Sequence, residues 1–173
     1  VISAAGAGSV AAIAINADNL EALLVAAQCH LLDKNDARAL SICDKIISLD
    51  AATSEVHSNR GIVLQNLGRH AEALDSYERA IAIQPDHGPA HVNRGNALRR
   101  LKRYDEAVAA YDRALALNPN LPQAWLNRGN ALYDLDRHQE AWAAYDRALA
   151  LDAGLAHAWL GRGNVLCKLR RYE

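Results

Sequence analysis

Asparagine recurs at a fixed interval along this 173-residue chain. The string NRGNAL stands at Asn93–Leu98 and again at Asn127–Leu132, NRGIVL begins at Asn59, and GRGNVL begins at Gly161. Each start lies 34 residues after the one before. Asn59, Asn93 and Asn127 form one phased series, and Asn96, Asn130 and Asn164 form a second. A primary amide both donates and accepts hydrogen bonds, so a column of them can read an extended main chain without regard to its side chains. Val92, Leu126 and Leu160 recur at the same 34-residue interval, as do Arg99 and Tyr133. Asparagine is a poor residue for a helix interior, so its recurrence points to a binding role. The competing reading is that these amides are solvated or bridge neighbouring helices.

The elements that position these residues follow from the period. With the glycine of each NRG at the eighth place, the chain frames as repeats 20–53, 54–87, 88–121 and 122–155. Residues 1–19 read as the second helix of a preceding repeat, and 156–173 as the first helix of a further one; the whole, 1–173, is expected to form one domain. Each repeat carries two amphipathic patterns. In the third, apolar residues at Val92, Ala97, Leu98 and Leu101, then at Ala107, Val108, Tyr111, Ala114, Leu115 and Leu117, keep the spacings of three and four that mark a helix face. The patterns predict helices over 90–101 and 104–117. Lys102 and Arg103 separate them, and Pro119, like Pro85 one repeat earlier, stands just beyond the second. Strand signals are absent. Gly61, Gly95, Gly129 and Gly163 fall inside the first helices, where glycine costs about 1 kcal/mol against alanine. That repeated cost predicts a closely approaching helix, with Ala73, Ala107 and Ala141 and, further on, Ala80, Ala114 and Ala148 as the expected partners.

Other chemistry is poorly served. Net charge is −1, which gives no general attraction to nucleic acid or to an anionic membrane. The cluster Arg99, Arg100, Lys102, Arg103 sits where a helix ends, which suits the helix dipole, and has no interleaved aromatic platform. The seven histidines show no helical metal spacing. His57 and His91 occupy a core-side place, and His70 and His138 stand where Tyr104 and Tyr172 stand in other repeats. Cys29, Cys43 and Cys167 lack metal-site spacing, and Cys43 takes the place held by Tyr77, Tyr111 and Tyr145. No phosphate loop, nucleophile elbow or convergent carboxylate pair is present. The expectation is therefore no catalysis, no cofactor, no metal, no nucleic-acid partner and no membrane span, in a cytoplasmic protein with reduced thiols. The apolar start, Val1–Ile15, lacks the basic residues and cleavage pattern of a signal peptide.

The residues at fixed places resemble the tetratricopeptide repeat (TPR) family over the whole chain. Trp125, Gly129, Ala141, Tyr145 and Ala148 match its pattern in one repeat, and His91, Gly95, Ala107, Tyr111, Ala114 and Pro119 match it in another. Leu23, Ala27, Ala39, Cys43 and Ile46 form the weakest match. His57 and His91 depart from the family's large residue at their place, and Arg60, Arg94, Arg128 and Arg162 depart from its leucine at theirs; Asp112, Asp146 and Glu78 are candidate partners for the arginines. The resemblance implies an all-α, right-handed superhelical solenoid of antiparallel helix pairs, whose first helices line a concave groove. In the family that groove is built from places which here hold Asn59, Val92, Asn93, Asn96, Arg99, Leu126, Asn127, Asn130, Tyr133, Leu160 and Asn164.

The asparagine column is similar to that in the TPR superhelix of O-linked N-acetylglucosamine transferases, whose catalytic domain has no counterpart here. The family's carboxylate clamp for chaperone tails is excluded, because Ser58, Val92 or Leu126, then Gln123 or His157, stand where it needs basic residues. The implied function is a non-catalytic scaffold that binds an extended peptide or a partner helix. The alternatives are a substrate-presenting arm of a larger enzyme, such as a glycosyltransferase, and a self-assembling structural solenoid. Head-to-tail association is expected if the apolar faces of about Ser3–Ile15 and Ala156–Leu169 pack together between copies.

Overall fold

The computed structural model describes residues 23, 26, 27, 33, 35–48 and 53–169. They contain eight helices and no strand: α1 (Asp36–Ser48), α2 (Ser54–Asn66), α3 (His70–Ile83), α4 (Gly88–Arg100), α5 (Tyr104–Leu117), α6 (Pro122–Asp134), α7 (His138–Leu151) and α8 (Ala156–Leu169). The expected helix over 3–15 lies outside the described residues. The chain divides into two compact units, Val1–His87 and Gly88–Glu173, and each is taken by itself.

Local chemistry sets the helix ends. Thr53 caps α2, its hydroxyl accepting from the Val56 amide at 3.3 Å, which satisfies one of the donors a helix start leaves open. Pro122 opens α6, where its missing N–H is no loss. The turns inside the three helix pairs share one left-handed residue: Gly68 (φ 75°), Lys102 (φ 60°) and Asp136 (φ 58°). Glycine takes that conformation freely, whereas lysine and aspartate hold it under strain. Just beyond, Arg69, Arg103 and Arg137 each grip the glutamate three residues on, Glu72, Glu106 and Glu140, through two bonds of 2.6–2.7 Å.

In the first unit α2 packs against α1 and α3. Leu23, Ala27, Cys43, Ile46 and Val56 form one buried cluster there. The Ser54 hydroxyl donates to the Ala80 carbonyl at 2.9 Å; its proton is thereby committed, so His87 Nδ1, 2.7 Å from Ser54 Oγ, is the donor in that second bond. This ties the segment after α3 to the start of α2. In the second unit α4 packs on α5, α5 on α6, α6 on α7, and α7 on α8. Ala107, Ala114, Ala141 and Ala148 are wholly buried at the crossings. Leu98 and Leu132 are buried beside them, each contributing about 1.5–3 kcal/mol by leaving water.

The helix glycines meet tyrosine rings, not the alanines expected from the sequence. A Cβ on Gly95 would stand 2.6 Å from Tyr111 Cε1, and one on Gly129 would stand 2.6 Å from Tyr145 Cε1. Gly61 faces Tyr77 in the same way. The three tyrosines are the largest fully buried side chains among the described residues. A ring that approaches a helix this closely needs bare backbone at the contact, and glycine supplies that. Gly163 has nothing within 4 Å of the same hypothetical atom.

Candidate functional site

The places read as groove positions fall on α2, α4, α6 and α8. In the second unit, residues of α6 and α8, with Arg99 of α4 and Tyr145 of α7, line a cavity of about 440 Å³. Of the residues singled out from sequence, Arg99, Leu126, Asn127, Asn130, Tyr133, Leu160 and Asn164 line it. Val92, Asn93 and Asn96 are half-buried on α4 and do not. Asn59 is half-buried on α2, in the other unit. Gln123, Asp134, Tyr145, His157 and Gly161 also line the cavity. Gln123 and His157, at the places where the family's clamp needs basic residues, share one repeat phase. The part played by Tyr145 was not legible in the sequence, because its repeat place marks it as core.

The amides are organised by other side chains. Tyr111 donates its hydroxyl to Asn96 Oδ1 at 2.8 Å, and Tyr145 donates to Asn130 Oδ1 at 2.9 Å. Asn127 Nδ2 donates to Asn96 Oδ1 at 2.9 Å, and Gln123 Nε2 donates to Asn127 Oδ1 at 3.0 Å. Tyr111 and Tyr145 thus each occupy one of the two acceptor sites of an asparagine amide, and Asn127 occupies the second on Asn96. Bridging between helices, the competing reading of the asparagines, holds for Asn96 and Asn127. Burial pushes the Tyr145 hydroxyl up to about 12 and drives the Tyr111 hydroxyl higher still, so both stay protonated and able to donate.

The cavity has a sequence cause. Where α4 and α6 carry Asn93 and Asn127, α8 carries Gly161. Asn127 reaches across to Asn96; Gly161 has no side chain with which to reach Asn130. Gly161 also crowds the tyrosine from the other side, since a Cβ there would lie 2.5 Å from Tyr145 Cζ. Arg99 Nε donates to Asp134 Oδ2 at 2.8 Å across neighbouring repeats, which balances the charge at the rim.

The repeated arginines find acids in the preceding repeat. Arg60 meets Asp44 at 2.7 Å, Arg128 meets Asp112 at 2.6 Å, and Arg162 meets Asp146 at 3.1 Å. The Arg162 guanidinium also lies between two indoles, 4.4 Å from the Trp142 centroid and 5.1 Å from that of Trp159, an attractive placement over the ring faces. His57 is buried, and its pKa is lowered by burial and then by Arg79 and Arg60, so it packs as a neutral ring. Among the described residues no group of histidine, cysteine and carboxylate side chains is arranged to hold a metal ion, and no helix is long and apolar enough to cross a membrane.

Paired helices repeating every 34 residues, with a polar cavity lined by the first helices, define a helical-repeat solenoid. The chain belongs to the tetratricopeptide repeat family: four models described as TPR or tetratricopeptide repeats match residues 54–87, 76–109, 95–136 and 122–154. No curated protein matches the chain in sequence. Solved structures do match in fold. MamA (41-end) from Desulfovibrio magneticus RS-1 is 20% identical, with a TM-score of 0.83 over 88% of this chain and 86% of that one. YrrB, described as a TPR protein with an unusual peptide-binding site, is 18% identical, with a TM-score of 0.82 over 94% and 84%. The first TPR domain of Spaghetti (RPAP3), bound to the HSP90 peptide SRMEEVD, is 27% identical, with a TM-score of 0.67 over 68% and 94%.

Proposed function

We propose that this protein is a non-catalytic interaction scaffold that holds an extended peptide or a partner helix in the cavity between α6 and α8. The observation that carries the reading is the lining itself. Asn127, Asn130 and Asn164 alternate with Leu126 and Leu160 around one open cavity of about 440 Å³, and amides interleaved with apolar side chains offer a peptide both main-chain hydrogen bonds and side-chain contact. Solved TPR proteins of similar fold that are described as peptide-bound or peptide-binding lend support.

The test uses peptides recovered from a random-sequence display library on the immobilised protein. Leu160 and Asn164 are exposed, so replacing both with alanine leaves the fold nearly unchanged. The double variant is expected to lose at least tenfold in affinity for the recovered peptides, with an unaltered melt. Peptides that bind the double variant as tightly as the parent protein, or a library that yields no enriched sequence, would remove this function.

A further inference from the structure

One side-chain amide of this site is held at both ends. Asn127 Nδ2 donates to Asn96 Oδ1 at 2.9 Å, and Asn127 Oδ1 accepts from Gln123 Nε2 at 3.0 Å. Asn96 Oδ1 also takes the Tyr111 hydroxyl, so both of its acceptor sites are filled. One repeat further on, Asn130 stands for Asn96, Tyr145 for Tyr111 and His157 for Gln123. Tyr145 again fills one acceptor site, at 2.9 Å. The amide between the partners is missing, because Gly161 stands for Asn127. Asn130 Oδ1 therefore keeps an acceptor site without a donor among the described contacts, and Asn130, His157 and Gly161 line one cavity.

The chain does not have room to supply this amide itself. A Cβ on Gly161 would lie 2.5 Å from Tyr145 Cζ. The ring whose hydroxyl fills the first acceptor site thus also forbids a side chain at 161. Two partners for a carboxamide are in place, and the carboxamide is not.

We propose that the ligand brings it: a glutamine or asparagine side chain of the bound peptide enters beside Gly161, donates through its NH2 group to Asn130 Oδ1, and accepts at its oxygen from His157. This rests on the peptide-scaffold reading and adds a side-chain preference to it. An imidazole carries at least one N–H in either protonation state, so His157 meets the incoming oxygen as Gln123 meets that of Asn127. Other side chains fit less well. A carboxylate faces Asn130 Oδ1 with a second acceptor, and an ammonium brings no acceptor for His157. An aliphatic chain leaves both protein groups unpaired, which is unfavourable once water is excluded. A main-chain unit is also a poorer match, since a trans peptide directs its N–H and C=O to opposite sides, whereas Asn127 meets both partners from one end group.

The test starts from peptides recovered from the display library. They are expected to share one position held by glutamine or asparagine. Replacing that residue with the acid of equal length, or with leucine, is expected to weaken binding about tenfold or more. Asn130→Ala and His157→Ala are each expected to weaken the unmodified peptide about fivefold or more. Neither is expected to weaken further the peptide that carries leucine in place of the carboxamide. His157 is exposed, so its variant keeps the fold and carries this cycle alone where Asn130→Ala melts early.

Losses that add in full would overturn the proposal, because the carboxamide would then not meet these two residues. Recovered peptides that tolerate replacement of every glutamine and asparagine would overturn it as well. If those peptides still lost affinity for the Leu160 and Asn164 double variant, the scaffold reading would stand without it. Peptides indifferent to that double variant would sink the scaffold reading itself, and this proposal with it.

Discussion

Gly95 and Tyr111 are in contact: the tyrosine ring lies so close to the glycine backbone that a single added methyl would stand 2.6 Å from a ring carbon. Tyr111 is wholly buried and cannot swing away. Gly95→Ala is therefore expected to destabilise, even though alanine is the better helix former by about 1 kcal/mol. Overpacking of this kind costs about 1–3 kcal/mol, for a net loss of up to about 2 kcal/mol in chemical denaturation. Gly163→Ala, at the same repeat place but facing nothing within 4 Å, is expected to gain up to about 1 kcal/mol from helix propensity. If the two substitutions shifted stability in the same direction, the contact would not be what makes glycine necessary.

The bond between Arg128 and Asp112 joins successive repeats at 2.6 Å, with Arg128 mostly covered and Asp112 half exposed. Pairs of this exposure are worth little on their own. A double-mutant cycle of Arg128→Leu and Asp112→Asn is expected to give a coupling of about 0.5–1 kcal/mol, reduced in 1 M salt. A coupling of several kcal/mol, or one insensitive to salt, would count against an exposed ion pair.

Glu72, Glu106 and Glu140 have pKa values lowered, chiefly by the hydrogen bonds from Arg69, Arg103 and Arg137. A carboxyl held below its unfolded value stabilises the fold above that value, and the stabilisation is lost as pH falls through the lowered one. The melting temperature is thus expected to decline as pH drops below about 4.5, the ordinary glutamate range. The three carboxylates are about half exposed, so solvent screens them and the effect is small. Glu106→Gln should flatten part of the decline; a slope identical to that of the parent protein would show that this clasp contributes nothing.

Cys43 is buried, and its thiol is pushed up to about 11, first by burial and then by Asp44, whereas Cys167 is exposed. The thiolate is the reacting species. At pH 8, iodoacetamide mapped by mass spectrometry is expected to label Cys167 while Cys43 stays unmodified until denaturant is added. Equal labelling rates in the native protein would contradict the burial of Cys43.

Much of the fold was legible because its signals are local. The spacing of Ala107, Val108, Tyr111, Ala114 and Leu115 marks a helix face with no knowledge of what covers it, and α5 spans the expected Tyr104–Leu117. The neighbouring helix begins at Gly88, two residues before the expected start, and ends at Arg100, one residue before the expected end, since ends depend on caps as well as on period. Pro119 and Pro85 announced the breaks after α5 and α3. The first-helix placement of Asn96, Asn127 and Asn130 followed from the period alone.

The sequence by itself determined the 34-residue repeat, the helix pairs, the buried alanines and tyrosines, and the side of each first helix on which the asparagines recur. These depend on the pitch of one helix, a property of the backbone that every repeat shares. Only the tertiary structure decided that the glycines face tyrosine rings, that Arg128 reaches the Asp112 of the preceding repeat, that Tyr145 donates to Asn130, and that a cavity opens where Gly161 replaces an asparagine. Each of these depends on the distance and rotation between two helices, and on which of two polar groups donates. Side-chain pairing across a helix interface is set at the scale of a few tenths of an ångström, and a pattern of residue types along one chain does not carry that information.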